Sequence, residues 1–413
     1  MNSCSGIIVR IRRLAEIAAL GVKESGVPAV AELADAIIKA GIEQEASDIH
    51  IEPTAEALKV RYRIGGALIA LYEPFGREIQ SVLISRFKVM ARMDSGDRLR
   101  PSDGHITYIY AKREIDIRVA ALPSVYGEIL SLRIMDRAGM LTKIEELSFS
   151  PVNERLFRRL VHLPAGLIIA AGPMNSGKST ALYAALRDMD TDGQVIMTVE
   201  DPAECLLDGV NQINVNPKVG LTFEAGLRAI LRMDADILMV GEIRDEATAR
   251  LAVRAALTGH LLLTSLHARD SLTAMLRLNE MGISRYFLAA TLSGVLAQRL
   301  VRRLCPRCRE EYAASAAELE LLHDHKVTVP TAVLYRGRGC DFCHGTGFRG
   351  RVAVQEILRV DENIRQHILQ GTPLNRLRAD LVARNFCDMW QDGLTKAVQG
   401  LTTVNEVRRV LDA

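Results

Sequence analysis

The chain has 413 residues, 48% hydrophobic and 25% charged, with a net charge of +2, the make-up of an ordinary folded protein. So even a balance excludes a polyanion-binding surface spread over the whole molecule, and any basic site must be local. No stretch reaches the roughly 18 apolar residues of a membrane-spanning helix. Arg10, Arg12, Arg13 and Glu16 interrupt the N-terminus where a signal peptide needs an apolar core, so a cytoplasmic protein is expected.

Residues 1–27 carry a short basic-apolar run, Ile7-Ile-Val-Arg-Ile-Arg-Arg-Leu14. It reads as a solvated helix or linker in preference to a membrane-surface or partner-binding helix. Residues 28–140 show an α+β pattern. Ala31 to Ala40 is helix-like, and Leu58–Ile64 and Glu114–Val119 alternate apolar and polar residues, as half-buried strands do. Residues 141–304 form the next expected domain, entered through a linker and helix over 142–163.

An apolar run, Leu167-Ile-Ile-Ala-Ala171, leads into Gly172-Pro-Met-Asn-Ser-Gly-Lys-Ser-Thr180 and then a helix-like Ala181–Arg187. Strand, loop with the spacing G-x4-G-K-S, and helix together define a phosphate-binding loop. Its N–H groups point inward, and the helix that follows presents its positive dipole end. In that pattern Lys178 reaches the β- and γ-phosphates and Ser179 ligates Mg²⁺. Asn175 suits the loop because Asn tolerates left-handed backbone.

Strand-like Val195–Val199, Ile237–Val240 and Leu261–Ser265 alternate with helix-like Thr222–Met233 and Asp245–Leu257. This βαβ rhythm predicts an α/β fold with a mostly parallel, doubly wound sheet and ligands at the C-terminal strand ends. At such ends stand Glu200-Asp-Pro-Ala-Glu204, Gly241-Glu242 and Leu266-His267. Phosphoryl transfer needs a carboxylate near the attacking water and a polar group near the γ-phosphate, and the three clusters together supply both.

Residues 305–350 contain Cys305-Pro-Arg-Cys308 and Cys340-Asp-Phe-Cys343. Two C-x-x-C pairs in a reducing compartment predict a closed, structural Zn²⁺ site, with helix-like Ala313–Leu322 as an insert between them. Cys4, Cys205 and Cys387 have no such pattern. Arg299, Arg302, Arg303, Arg307 and Arg309 form a basic run that fits acidic lipid, a partner or a solvated face. Residues 351–413 read as a helical C-terminal region.

From about Ala46 to the C-terminus the chain resembles the secretion traffic ATPases of type II secretion and type IV pilus assembly, the GspE/PilB type. The resemblance is carried by Ala46-Ser-Asp-Ile-His-Ile-Glu-Pro53, the phosphate loop, the acidic box Glu200–Glu204, Gly220–Arg232, Val240-Gly-Glu-Ile-Arg-Asp245 and Leu257–His267. It implies a RecA-like nucleotide domain behind a PAS-like N-terminal domain, and an ATP- and Mg²⁺-dependent hexameric hydrolase. Glu204 would be the general base, Glu242 would act through Mg²⁺, and His267 would sense the γ-phosphate, with His260 a second candidate. Arg118 and Arg133 would come from the N-terminal domain, Arg228 and Arg232 from the catalytic one.

The same resemblance implies an inner-membrane platform protein as partner, peripheral membrane association through it, and no nucleic acid. It also implies that the additional N-terminal domain of many members is absent. The family's Arg-Ile-Asp-Gly stands here as Arg63-Ile-Gly-Gly66, its Gln-Asp-Gly-Arg as Ser102-Asp-Gly-His105, and Ala268-Arg-Asp270 follows His267 where Thr-Asn is usual. A retraction motor is the alternative, against which the cysteine pairs argue; a non-hydrolysing scaffold and a recombinase-type motor are further rivals. For the last, no aromatic stacking pattern for DNA is present.

Overall fold

Strand β8 (Gly166–Ala171) is buried at every position, which explains its unbroken apolar run: it is the inner strand of a sheet covered on both faces. In the computed structural model, which describes residues 3–21, 27–135, 141–329 and 331–412, the chain forms two compact units. One comprises residues 1–137 with 339–350, the other 138–338 with 351–413. The expected boundaries at 27/28 and 140/141 adjoin stretches outside the described residues, as do the side chains of Cys4, Ile7 and Ile8.

The first unit opens with helices α1 (Ser3–Gly21) and α2 (Val27–Glu43). Strands β1 (Ala46–Pro53), β2 (Ala57–Ile64), β3 (Ala67–Ile69) and β4 (Phe75–Gly76) follow, then α3 (Gln80–Met90), β5 (Ser102–Tyr110), β6 (Arg113–Ser124) and β7 (Gly127–Met135). The sheet runs β3-β2-β1-β7-β6-β5, with β4 beside β2, and its pairs are antiparallel. One face of it packs Ile49, Tyr62, Val119 and Leu132 into a core with the helices. The N-terminal run is not a solvated segment. Ile11, Leu14, Ala15 and Ala18, spaced as one helical stripe, are buried in that core, while the arginines between them lie off the stripe. The departure at Gly65 has a local cause: Ile64 pairs with Ala67, and both residues of this two-residue turn have positive φ, 56° and 87°, which favours Gly.

The second unit continues with α4 (Pro151–Val161), β8, α5 (Lys178–Arg187), β9 (Ile196–Glu200), β10 (Val210–Asn214), α6 (Phe223–Ile230), β11 (Ile237–Val240), α7 (Glu246–Leu257), β12 (Leu261–Leu266), α8 (Ser271–Glu280), α9 (Arg285–Thr291) and β13 (Leu292–Leu304). After β14 (Arg309–Ala313), α10 (Ala316–Asp324) and β15 (Val333–Gly337) come β16 (Phe348–Arg359), α11 (Glu362–Gln370), α12 (Leu374–Ala383), α13 (Met389–Val398) and α14 (Val404–Leu411). The main sheet has the order β10-β9-β11-β12-β8-β13-β16, parallel from β10 through β13. Leu167, Ile169 and Ala171 pack with α6 to α9 on one face, and Ile168 and Ala170 with α4 and α5 on the other. The C-terminal region is therefore not purely helical, because residues 351–359 belong to the edge strand β16.

Helix α14 is fastened to β13 through Glu406, only 2% exposed. Its carboxylate accepts from Arg302 Nε at 3.0 Å and Nη2 at 2.8 Å, and from Arg409 Nε at 2.9 Å. Burial alone would raise its pKa, but the hydrogen bonds from Arg409 and Arg302 outweigh burial and bring it down to about 2. A depressed carboxylate pKa stabilises the fold above the unfolded value and loses that contribution as pH falls towards the folded one. Glu406→Gln should therefore cost about 3 kcal/mol at pH 7. In denaturant titrations the gap to wild type should close between pH 4.5 and about 2.

Candidate active site

The phosphate loop leaves β8 and turns into α5 at Gly177, the helix N-cap, with φ 87° and ψ 18°. Asn175 is likewise left-handed at φ 60°, in line with its expected tolerance. Pro173, Met174 and Asn175 are exposed, Gly172 and Ser176 buried, Thr180 half-buried, and Ser179 exposed at the first turn of α5. Lys178 is buried at 9%, its ammonium donating to the Gly172 carbonyl at 2.9 Å and the Pro173 carbonyl at 2.8 Å. Burial pushes its pKa down to about 8; Glu242 pulls it back up and Arg299 lowers it further. The Lys178 ammonium thus sits on two loop carbonyls beside the first turn of α5, a cradle that suits an anion.

Sheet register gathers the other candidates beside this loop. Ala171 pairs with Leu266, and Val240 with both Thr264 and Val199, so Gly172, His267, Gly241 and Glu200 all leave the same edge. Glu242 and His267 are brought together, Nε2 to Oε2 at 3.5 Å. Arg244 Nε donates to Glu242 at 2.6 Å, and its Nη1 lies 3.3 Å from Asp201. His260 is not at this edge. Its carbonyl accepts from Gly166 at the start of β8 and its Nδ1 lies 3.0 Å from the Ala255 carbonyl at the end of α7, so in a parallel sheet it sits at the opposite, N-terminal side.

The acidic box divides its carboxylates. Glu200 is buried at 4% and accepts from Thr198 Oγ1 at 2.6 Å, Gln212 Nε2 at 3.1 Å and the Tyr183 hydroxyl. The same hydroxyl accepts the Glu204 N–H at 2.9 Å, tying the box to the helix of the phosphate loop. Burial and the Glu200 hydrogen bond hold the Tyr183 phenol far above its ordinary pKa, so it stays a donor. Glu204 itself is half-buried. Arg228 is exposed and ion-paired with Glu224; Arg232, also exposed, lies past the end of α6 and donates to the Arg228 carbonyl at 2.9 Å.

In the first unit, Arg118 and Arg133 are direct cross-strand neighbours. They belong to a row running Arg63, Asp48, Arg133, Arg118 and His105 across β2, β1, β7, β6 and β5. Asp48 is buried at 6% and takes Arg133 Nε at 3.2 Å and Arg63 Nε at 3.7 Å. The His105 departure thus stands opposite Arg118.

The sulfurs of Cys305, Cys308, Cys340 and Cys343 lie within 4.8 Å of one another. Four thiolates at Zn–S distances of about 2.3 Å would stand about 3.8 Å apart, and Cys340 and Cys343 are separated by 3.7 Å. Cys343 Sγ accepts the N–H groups of Cys340 and Gly347, each at 3.2 Å, which favours the thiolate that metals require. The set fits a tetrahedral metal.

The family model described as "Type II/IV secretion system protein" matches residues 23–409. This chain belongs to that family, whose members are P-loop ATPases. The type II secretion system ATPase E of Vibrio cholerae is 41% identical over 381 residues, covering 92% of this chain and 75% of that protein. The type IV pilus assembly ATPase PilB of Thermus thermophilus is 40% identical over 371 residues, 90% of this chain and 42% of that one. Among solved structures, the Legionella pneumophila ATPase DotB aligns with TM-score 0.67 and 22% identity over 91% of this chain and 94% of its own. No helix of the described residues is long and apolar enough to cross a membrane.

Three residues not expected from the sequence also touch this site: Tyr183 bonds to Glu200, Arg244 to Glu242, and Gln298 of β13 donates to the Ser176 carbonyl. Tyr183 was visible as the one polar ring in an Ala/Leu helix, and Arg244 as the cation two residues past Glu242. Tyr183→Phe should cost about 1–2 kcal/mol in denaturant unfolding, because a buried carboxylate and a backbone N–H each lose a partner.

Proposed function

We propose that the chain is the hexameric motor ATPase of a type II secretion or type IV pilus assembly machine, coupling ATP hydrolysis to movement of an inner-membrane platform protein. The observation that carries the reading is the meeting of the phosphate loop, the Glu242–His267 pair and the acidic box on one sheet edge. The parallel core and the likeness to DotB support a RecA-like nucleotide domain. The antiparallel first unit with helices on one face is compatible with a PAS-like domain. A cytoplasmic location, with the membrane reached through partners, is part of this reading.

Bound Mg²⁺ would neutralise charge on the transferring phosphate, held by Ser179 and supported by Glu242. In this reading Gly172 to Thr180 wrap the phosphates with backbone N–H groups, and Lys178 exchanges its two carbonyl partners for phosphate oxygens. Glu204, anchored through its N–H to Tyr183, takes a proton from water. His267 orients on the γ-phosphate side, where Glu242 already fixes its Nε2. Arg118 and Arg133 from the first unit, and Arg228 and Arg232 from the second, would balance charge across a ring. Cys305, Cys308, Cys340 and Cys343 would hold a structural Zn²⁺.

Steady-state phosphate release from purified protein is the direct test. Lys178→Ala should abolish it, and release equal to wild type would remove the enzyme reading. Glu204→Gln should keep nucleotide binding but lower turnover by about 100-fold or more; undiminished turnover would reassign the base. In the host, Lys178→Ala scored for exoprotein secretion against surface pili would tell which machine is served. Metal analysis should find about one zinc per chain, falling to near zero in Cys308→Ser.

A further inference from the structure

Both ends of the phosphate loop rest on one residue of the neighbouring strand β13. Gln298 is 3% exposed, and its Nε2 donates to the Ser176 carbonyl inside the loop at 2.7 Å. A Cβ on Gly177 would come within 2.4 Å of that Nε2, and one on Gly172 within 2.6 Å of the Gln298 carbonyl. The loop is glycine at those points partly because the glutamine occupies the space.

An amide can face either way, and here a second buried amide decides. Gln355 of β16, fully buried, donates from Nε2 to Gln298 Oε1 at 2.8 Å, so the NH₂ group of Gln298 must point at the loop. Gln355 is fixed in turn: its Nε2 also donates to the Leu147 carbonyl at 3.2 Å, and its N–H donates to Asp392 Oδ2 at 2.8 Å. Asp392 is paired with Lys396 at 2.6 Å, both on α13. Among the described residues Gln355 Oε1 has no partner, a cost that an apolar side chain in its place would avoid.

We infer that Gln298, oriented by Gln355, is the positioning residue that holds the phosphate loop in its nucleotide-ready shape. The inference rests on the reading of this loop as the nucleotide site. Gln298 touches no reacting atom in it. It acts by fixing the Ser176 carbonyl, and therefore the direction of the N–H groups of Gly177 and Lys178 that follow.

The test is titration of the full-length chain with fluorescent mant-ADP, alongside ATP turnover and thermal unfolding. Gln298→Leu keeps the volume but cannot donate, and should weaken mant-ADP binding about tenfold and raise KM with kcat within about twofold. Gln355→Leu touches no loop atom, yet should weaken binding in the same direction by about threefold. The double variant should bind no worse than Gln298→Leu, since both act through one hydrogen bond. Wild-type affinity in folded Gln298→Leu overturns the inference, as do fully additive losses in the double variant. Should Gln298→Leu not fold, unchanged affinity in Gln355→Leu overturns it equally. Lys178→Ala separates the two levels: if that variant binds mant-ADP like wild type, the nucleotide reading falls and takes this inference with it.

Discussion

Parallel pairing is the constraint on which the second unit depends. Strands that run the same way end on the same edge, so their C-terminal residues collect there whatever their separation in sequence. Strand β8 lies between β12 and β13, and β12 continues to β11 and β9. His267 therefore leaves the strand next to the phosphate loop although it lies 95 positions after Gly172 in the chain. The same rule sends His260, seven residues earlier at the other end of β12, to the wrong side for phosphate chemistry.

Burial then sorts the carboxylates at that edge. Glu200 is enclosed and spends its oxygens on Thr198, Gln212 and Tyr183, so it stabilises the turn. Glu204, four residues on, donates its backbone N–H to Tyr183 and is half-buried. Glu242, half-buried, is shared between Arg244 and His267, both exposed. Desolvation cost explains why the enclosed carboxylate is the fully hydrogen-bonded one.

The parts of this arrangement legible in the sequence were those set by local chain geometry. A glycine-rich turn between an apolar strand and a helix, and polar clusters directly after apolar runs, need no long-range information. Strand β16 was not legible. It carries Gln355-Glu356, and adjacent polar residues within its buried stretch, residues 352–358, have no periodic signature; their partners, Gln298, Asp392 and Ser271, come from distant elements. Helix α1 was misjudged because Arg10, Arg12 and Arg13 dominate its composition, while its four core residues form a narrow stripe visible only at helical spacing.

Those two residues of β16 also show how the C-terminal helices join the nucleotide fold. Neighbouring strand residues face opposite ways, so Gln355 turns to the phosphate loop while Glu356 turns to the other layer. Glu356 is buried at 5%, and there Oε1 accepts the Ser271 N–H at 2.8 Å and hydroxyl at 2.6 Å, while Oε2 accepts the Met389 N–H at 3.1 Å. Ser271 begins α8 and Met389 begins α13, so one carboxylate satisfies the first turns of two helices at once. Burial raises its pKa, and the Ser271 and Met389 bonds oppose that rise. Since α8 starts four residues after His267, β16 links α13 to both sides of the same edge, to the loop through Gln355 and to the start of α8 through Glu356.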